Sequence, residues 1–205
     1  MKVLLINGSP RPKGCTFTAL SEVEEQLQKQ GIETEIVQVG HLDIRGCTAC
    51  GYCSKAGKCV FDDVVNEIAP KLAKADGLVL GSPVYFASAN GTLISFLDRL
   101  FFSTGFDKRM KVGAAVVSAR RGGTSAAFDQ LNKYFTNQGM PVAASQYWNS
   151  VHGASPEDVR KDAEGMQVMR SLGQNMAFLV KSIALGKEAF GLPEKEARLF
   201  TNFIR

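Results

Sequence analysis

The stretch Lys2 to Thr18, KVLLINGSPRPKGCTFT, constrains the fold more than any other part of the chain. Its apolar run, Val3 to Ile6, is closed at once by Asn7-Gly8, which suits one buried strand and falls far short of a membrane segment. Gly, Pro and hydroxyl residues then form a turn that carries Arg11 and Lys13, and a helical pattern begins directly behind it. Strand, polar turn and helix N-terminus together offer backbone N–H groups and a positive dipole end to an anion. The same residue types also build an ordinary strand-to-helix turn, so the loop alone does not separate a phosphate pocket from a plain connection.

The rest of the chain repeats that unit. Helix one is expected over 16–30, with Phe17, Leu20, Val23 and Leu27 on one face and Gly31 as its stop. Strand two is expected at 32–39, and Asp62-Asp63 cap a helix reaching about Ala75, with a kink or restart at Pro70. Strand three is read at 77–82, followed by a helix carrying Leu93, Phe96, Leu97, Leu100 and Phe101. Strand four covers 111–118, the next helix carries Phe128, Leu131 and Phe135, and 140–145 suits a short fifth strand. Alternating strands and helices predict an α/β, doubly wound parallel sheet, with ligands outside the carboxyl ends of its strands. From Ser155 a single long helix is expected to reach Gly186, too long for the sheet to cover, so that part of its face meets another subunit. The tail from Leu192 to Arg205 is too short to fold alone. One domain accommodates all 205 residues.

Three loops at strand ends define the candidate site. The first is neither a P-loop nor a dinucleotide fingerprint, because it lacks Gly-Lys-Ser/Thr and G-x-G-x-x-G. It offers hydroxyls at Ser9, Thr16 and Thr18 beside Arg11, a set suited to a terminal phosphate monoester such as that of FMN. The second, Pro83-Val84-Tyr85-Phe86, offers a flat apolar platform to a planar ring, although Tyr85 and Phe86 would equally serve as core. The third runs from Ser118 to Thr124 and joins Arg120 and Arg121 to Gly122-Gly123, where positive charge and close backbone amides would favour an anionic reduced ring. One of the two arginines is free to face solvent instead. His41 and His152 are the only histidines, and neither is read as catalytic.

Four of the five cysteines fall in one short segment, Cys47-x2-Cys50-x2-Cys53-x5-Cys59. No targeting segment is visible and no run approaches the ~20 apolar residues of a membrane helix, so a cytoplasmic, reducing location is expected and disulfides are not. Spacings this short let one loop wrap a compact iron-sulfur cubane, whereas structural zinc usually takes two Cys pairs with a longer spacer between them. A reduced loop without metal remains the alternative. A net charge of +4 without a Lys/Arg block gives no footprint for nucleic acid.

Taken together, NGSPRxxGxTxTAL, GSPVYF and the Gly-Gly turn after strand four resemble the NADPH-dependent FMN reductase group of flavodoxin-like proteins, and the cysteines resemble its iron-sulfur flavoprotein branch. The resemblance covers about residues 1–150. It implies a five-stranded parallel sheet of order 2-1-3-4-5 with a C-terminal helical extension, FMN at the strand ends, and a homodimer or homotetramer. Carried over position by position, it puts the FMN phosphate on Ser9, Arg11, Thr16 and Thr18, with Cys15 and Phe17 counted among the cofactor-binding residues of the same loop. The ring falls to Pro83, Val84, Tyr85, Phe86, Ser118, Arg121, Gly122 and Gly123. Cys47, Cys50, Cys53 and Cys59 match the ligands of a [4Fe–4S] cluster. Cys15 departs from the group, which usually has Asn or Ser there, so a side-chain oxygen contact is lost or replaced by a weaker thiol one. The activity implied is transfer of electrons from NADPH or NADH through FMN to a small-molecule or protein electron acceptor, with no catalytic side chain required. The alternative is an electron-transfer iron-sulfur flavoprotein without a small-molecule substrate.

Overall fold

Strand β1 (Lys2–Asn7) is an interior strand of the sheet, as its unbroken burial from Val3 to Asn7 requires. The computed structural model describes residues 1–197, 199 and 201. In chain order β1 is followed by α1 (Cys15–Lys29), β2 (Glu33–Gln38), α2 (Tyr52–Ala56), α3 (Val64–Lys74) and β3 (Gly77–Tyr85). Then come β4 (Ser88–Ala89), α4 (Gly91–Ser103), β5 (Val112–Ala119), α5 (Thr124–Thr136), β6 (Ser150–His152), α6 (Pro156–Lys161) and α7 (Ala163–Phe190). The sheet runs β2-β1-β3-β5-β6, all parallel, with the short β4 turned back antiparallel on the end of β3. Counting the parallel strands alone, this is the 2-1-3-4-5 order expected of a flavodoxin-like sheet.

Because successive strand residues face opposite sides, β1 and β3 feed two cores. Leu4, Ile6, Leu78 and Leu80 pack with Phe96, Leu97, Leu131 and Phe135 under α3, α4 and α5. Val3, Leu5 and Val79 pack with Leu20, Val23, Leu27, Met169 and Leu172 under α1 and α7. Each such fully buried aliphatic side chain contributes about 1.5–3 kcal/mol. The helix caps follow the sequence: Asp63 accepts from Val65 N at 3.1 Å, and Ser155 and Asp158 form a reciprocal capping box.

Several expectations are corrected. The fifth parallel strand forms at Ser150–His152, not at 140–145, where the only pairing among the described residues is a bridge between Val142 and Gly113. Pro141 has no N–H to donate, and beyond it Ser145 turns the chain outward through its bond to the Tyr147 carbonyl (2.7 Å), so the ladder resumes only at the far end of β5. The C-terminal helix is two helices. The Asp162 carboxylate accepts from Gly165 N at 2.9 Å, ending α6 and capping α7, and also accepts from His152 N at 2.7 Å. Helix α7 then passes through Gly186 to Phe190, a mid-helix glycine costing only about 1 kcal/mol. Helix α3 likewise runs through Pro70, and the cysteine segment contains the single-turn α2.

Candidate functional site

The first loop is braced before anything can bind to it. Asn7 Oδ1 accepts from Ser9 N at 3.1 Å, Ser9 Oγ accepts from Arg11 N at 3.1 Å, and Gln38 Nε2 donates to the Ser9 carbonyl. From the other side, Asn90 Nδ2 donates to the Gly8 carbonyl at 2.6 Å while its Oδ1 caps α4. A Cβ on Gly40 would stand 2.2 Å from the Gly8 carbonyl oxygen, so the turn after β2 lies directly against the loop. Asn7, Gln38, Gly40 and Asn90 were not singled out from sequence. Only Asn7, by its place at a strand end, offered a signal.

Helix α1 starts at Cys15 behind Gly14 with no side chain capping it, leaving first-turn N–H groups open toward the strand ends. Ser9, Arg11, Cys15 and Thr16 line a groove of about 290 Å³ with Pro83, Val84, Tyr85, Ser118, Ala119, Arg120, Gly153 and Ala154. Thr16 Oγ1 and Ser118 Oγ share a 2.8 Å hydrogen bond that joins its two walls. None of the lining residues is acidic, and Arg11 and Arg120 bring two permanent positive charges. Burial pushes the Cys15 thiol above its ordinary value, against the pull of nearby Arg11, and its sulfur lies 3.7 Å from the Gly153 carbonyl.

Other residues proposed from sequence stand apart from the groove. Thr18 is buried and donates back to the Gly14 carbonyl at 3.2 Å, and Phe17 is half-buried on α1. Phe86 is fully exposed at the tip of the β3–β4 hairpin, where Phe86 and Ala87 both hold positive φ (50° and 61°). That is the handedness of a type I′ turn, costing roughly 1–2 kcal/mol per non-glycine residue. Gly123, at φ 91°, passes so close to Ala87 that a Cβ would stand 2.9 Å from its Cα, which sets the third loop against this hairpin. Arg121 and Gly122 are exposed on that loop, and of the two arginines it is Arg120 that lines the groove. Gly153 and Ala154, which directly follow the true fifth strand, could not be placed there while that strand was read at 140–145.

The four clustered cysteines face a second, separate cavity. Cys47, Cys50, Cys53 and Cys59 all line a space of about 530 Å³ walled by Val60, Phe61, Phe102, Arg99 and Ser103. Ala49, at φ 52°, curls the loop between the first two thiols. Cys47 and Cys50 are exposed, Cys53 is intermediate, and Cys59 is buried. Cys59 is also the one held: Asn66 accepts from its N and donates to its carbonyl, both at 3.0 Å, and Arg99 Nε donates to its Sγ at 3.3 Å. Among the described residues no three His, Cys, Asp or Glu groups close on a single ion. Four thiols lining one roomy cavity without closing on a single ion suit a multi-iron cluster, in which each thiolate binds a different iron.

His41 and His152 are both exposed, and neither lines the groove; His152 Nδ1 lies 3.8 Å from Asp162 Oδ2. No helix among the described residues is long and apolar enough to cross a membrane.

Residues 1–155 match the family model for NADPH-dependent FMN reductase. An iron-sulfur flavoprotein of Methanocaldococcus jannaschii is 36% identical over 191 residues, 89% of this chain and 99% of that protein. Among solved structures, RosB with bound 8-demethyl-8-formylriboflavin-5'-phosphate superposes with a TM-score of 0.70 at 15% identity, covering 100% of this chain and 92% of that one. A flavodoxin from the domain Archaea superposes with a TM-score of 0.58 at 16% identity, covering 88% and 99% respectively. At such identities the structures establish the fold alone. The family match over residues 1–155, the parallel strand order and the anion-favouring groove agree, and the chain belongs to the NADPH-dependent FMN reductase family of flavin-dependent oxidoreductases.

Proposed function

We propose that this protein carries electrons from NADPH or NADH through FMN to a quinone, azo, nitro or other acceptor, with a [4Fe–4S] cluster at Cys47, Cys50, Cys53 and Cys59 as a second redox centre. The observation that carries the FMN reading is the groove: uncapped amides of α1, hydroxyls of Ser9 and Thr16, and Arg11 and Arg120, with no acid among its lining residues. In this reading Ser9, Arg11 and the first-turn amides of α1 hold the phosphate. Pro83, Val84 and Tyr85 form the wall against the ring, and Ser118 to Arg120 present backbone and charge to its polar edge. FMN, when bound, supplies an N5 that accepts hydride and can release electrons singly. The side chains position and charge the site, and none is needed as an acid or base.

A groove of about 290 Å³ sits at the lower end of the usual ~300–1,000 Å³ range for ligand sites, so one chain encloses only part of such a cofactor. That supports a homo-oligomer in which a second subunit completes the site. The last fully buried residue of α7 is Val180, while Phe178, Leu185 and Phe190 are exposed among the described residues, and this part of the C-terminal extension is the proposed contact. The cysteine cavity shares no lining residue with the groove and lies against the far end of α4, 8 or more residues along a helix rising 1.5 Å each. Exchange between the two centres therefore fits a path between subunits. Anaerobic purification, an absorption spectrum, and iron and sulfide analysis test both cofactors, and steady-state oxidation of each nucleotide with an artificial acceptor tests the activity. Flavin without turnover by either nucleotide would favour the electron carrier; less than one iron per chain would sink the cluster.

A further inference from the structure

Ser103 closes α4 at the floor of the cysteine cavity. It is 3% exposed, and its Oγ has no hydrogen-bond partner among the described residues. A buried hydroxyl without a partner is destabilising unless something fills the space in front of it. The apolar walls, Val60, Phe61 and Phe102, cannot do so. One turn earlier on the same face, Arg99 is 1% exposed and already directs Nε at Cys59 Sγ (3.3 Å). Its other two nitrogens fork onto Asp63 at 2.8 and 2.9 Å, which locks the guanidinium in place before any cofactor arrives.

We propose that Arg99 and Ser103 are the two hydrogen-bond donors that α4 directs at the four-cysteine centre, Arg99 to the Cys59 sulfur and Ser103 to a sulfide of the cluster, and that together they raise its reduction potential. Donors to cluster sulfurs stabilise the added negative charge of the reduced state more than the oxidised one, and hydrogen bonding to sulfur is a recognised means of setting such potentials. Neither residue touches the groove, so both act on the cluster alone.

The inference rests on the reading that these cysteines hold a cluster, and the experiment separates the two. Wild type, Ser103→Ala, Arg99→Gln and Arg99→Lys are purified or reconstituted anaerobically, assayed for iron and sulfide, and titrated potentiometrically with electron paramagnetic resonance as the readout. Ser103→Ala removes an unpartnered hydroxyl, so its melting temperature without the cluster should match or exceed wild type, while its loaded cluster shifts to a more negative potential. Arg99→Gln should shift in the same direction, with Arg99→Lys between it and wild type. A Ser103→Ala protein with a full cluster at the wild-type potential would overturn the proposal even if Arg99→Gln fails to fold. Loss of the cluster from a folded Ser103→Ala would overturn it too, by showing a role in retention. A wild type that takes up no iron would remove the cluster reading itself.

Discussion

Thr16 and Ser118 lie 102 residues apart in sequence, yet their hydroxyls meet at 2.8 Å, tying the first turn of α1 to the end of β5. That bond fixes how far the first turn of α1, the proposed phosphate end of the groove, stands from the third loop. A net hydrogen bond is worth about 1 kcal/mol, and a buried hydroxyl left alone costs about 1–3 kcal/mol. Thr16→Val should therefore weaken FMN binding by about five- to fiftyfold, measured by quenching of flavin fluorescence, with little change in the far-ultraviolet circular dichroism spectrum. Unchanged affinity would place the phosphate elsewhere.

The two neighbouring arginines should separate cleanly. Arg120 lines the groove and Arg121 does not. Arg120→Ala is expected to weaken FMN by about tenfold, the scale of a charge-assisted contact of about 1.5 kcal/mol. Arg121→Ala should stay within about twofold of wild type. Equal losses at both positions in the same titration would show that the third loop rearranges on binding.

Gly40 tests the bracing of the first loop. Its absent side chain is what lets the turn after β2 lie on Gly8, and a Cβ there would meet backbone at 2.2 Å, which cannot yield as a side-chain tip can. Gly40→Ala should destabilise the fold by about 1–3 kcal/mol or more and weaken FMN at the same time. Denaturant unfolding and a flavin titration on the same variant would check both. Stability lost with flavin affinity intact would uncouple the loop from the site.

Burial holds the Cys15 thiol protonated to a higher pH than in the unfolded chain. For an acid whose folded pKa is raised, the stability contribution is fully present below the unfolded value, about 8.5, and declines as pH rises from there toward the folded value. Peptide mapping after iodoacetamide treatment at several pH values should show Cys15 alkylating only above the ordinary thiol range. Ready alkylation of Cys15 at neutral pH would contradict the raised pKa.

Phe178 is 70% exposed on α7, and Phe190 is 90% exposed at its end. If α7 is an oligomer contact, Phe178→Glu should shift the protein to a smaller species in light scattering after gel filtration and lower flavin retention. A wild type already monomeric at assay concentrations would remove that contact.

The sequence by itself determined the elements whose signal is local. The short apolar run of β1, the 3.6-residue stripe of α1, and the Asp63 and Ser155 caps each depend on neighbours within about a turn, and each is found where periodicity and capping chemistry put it. The alternation of these elements was enough to imply the parallel sheet and the loops at its strand ends. Only the tertiary structure decided what depends on distant partners. The last strand formed at Ser150–His152 because the open edge of β5 and the outward turn at Ser145 select it, not because 150–152 is a stronger strand former than 140–145. Asp162 split the C-terminal helix because it found both Gly165 N and His152 N to accept from. Arg120 rather than Arg121 reached the groove, and Asn90, Gln38 and Gly40 braced it, through contacts spanning 29 to 82 residues of chain or through backbone touching backbone. Arg99, which reads in sequence as one more charge on α4, became a buried donor to Cys59 only when Asp63 and the cysteine loop folded over it.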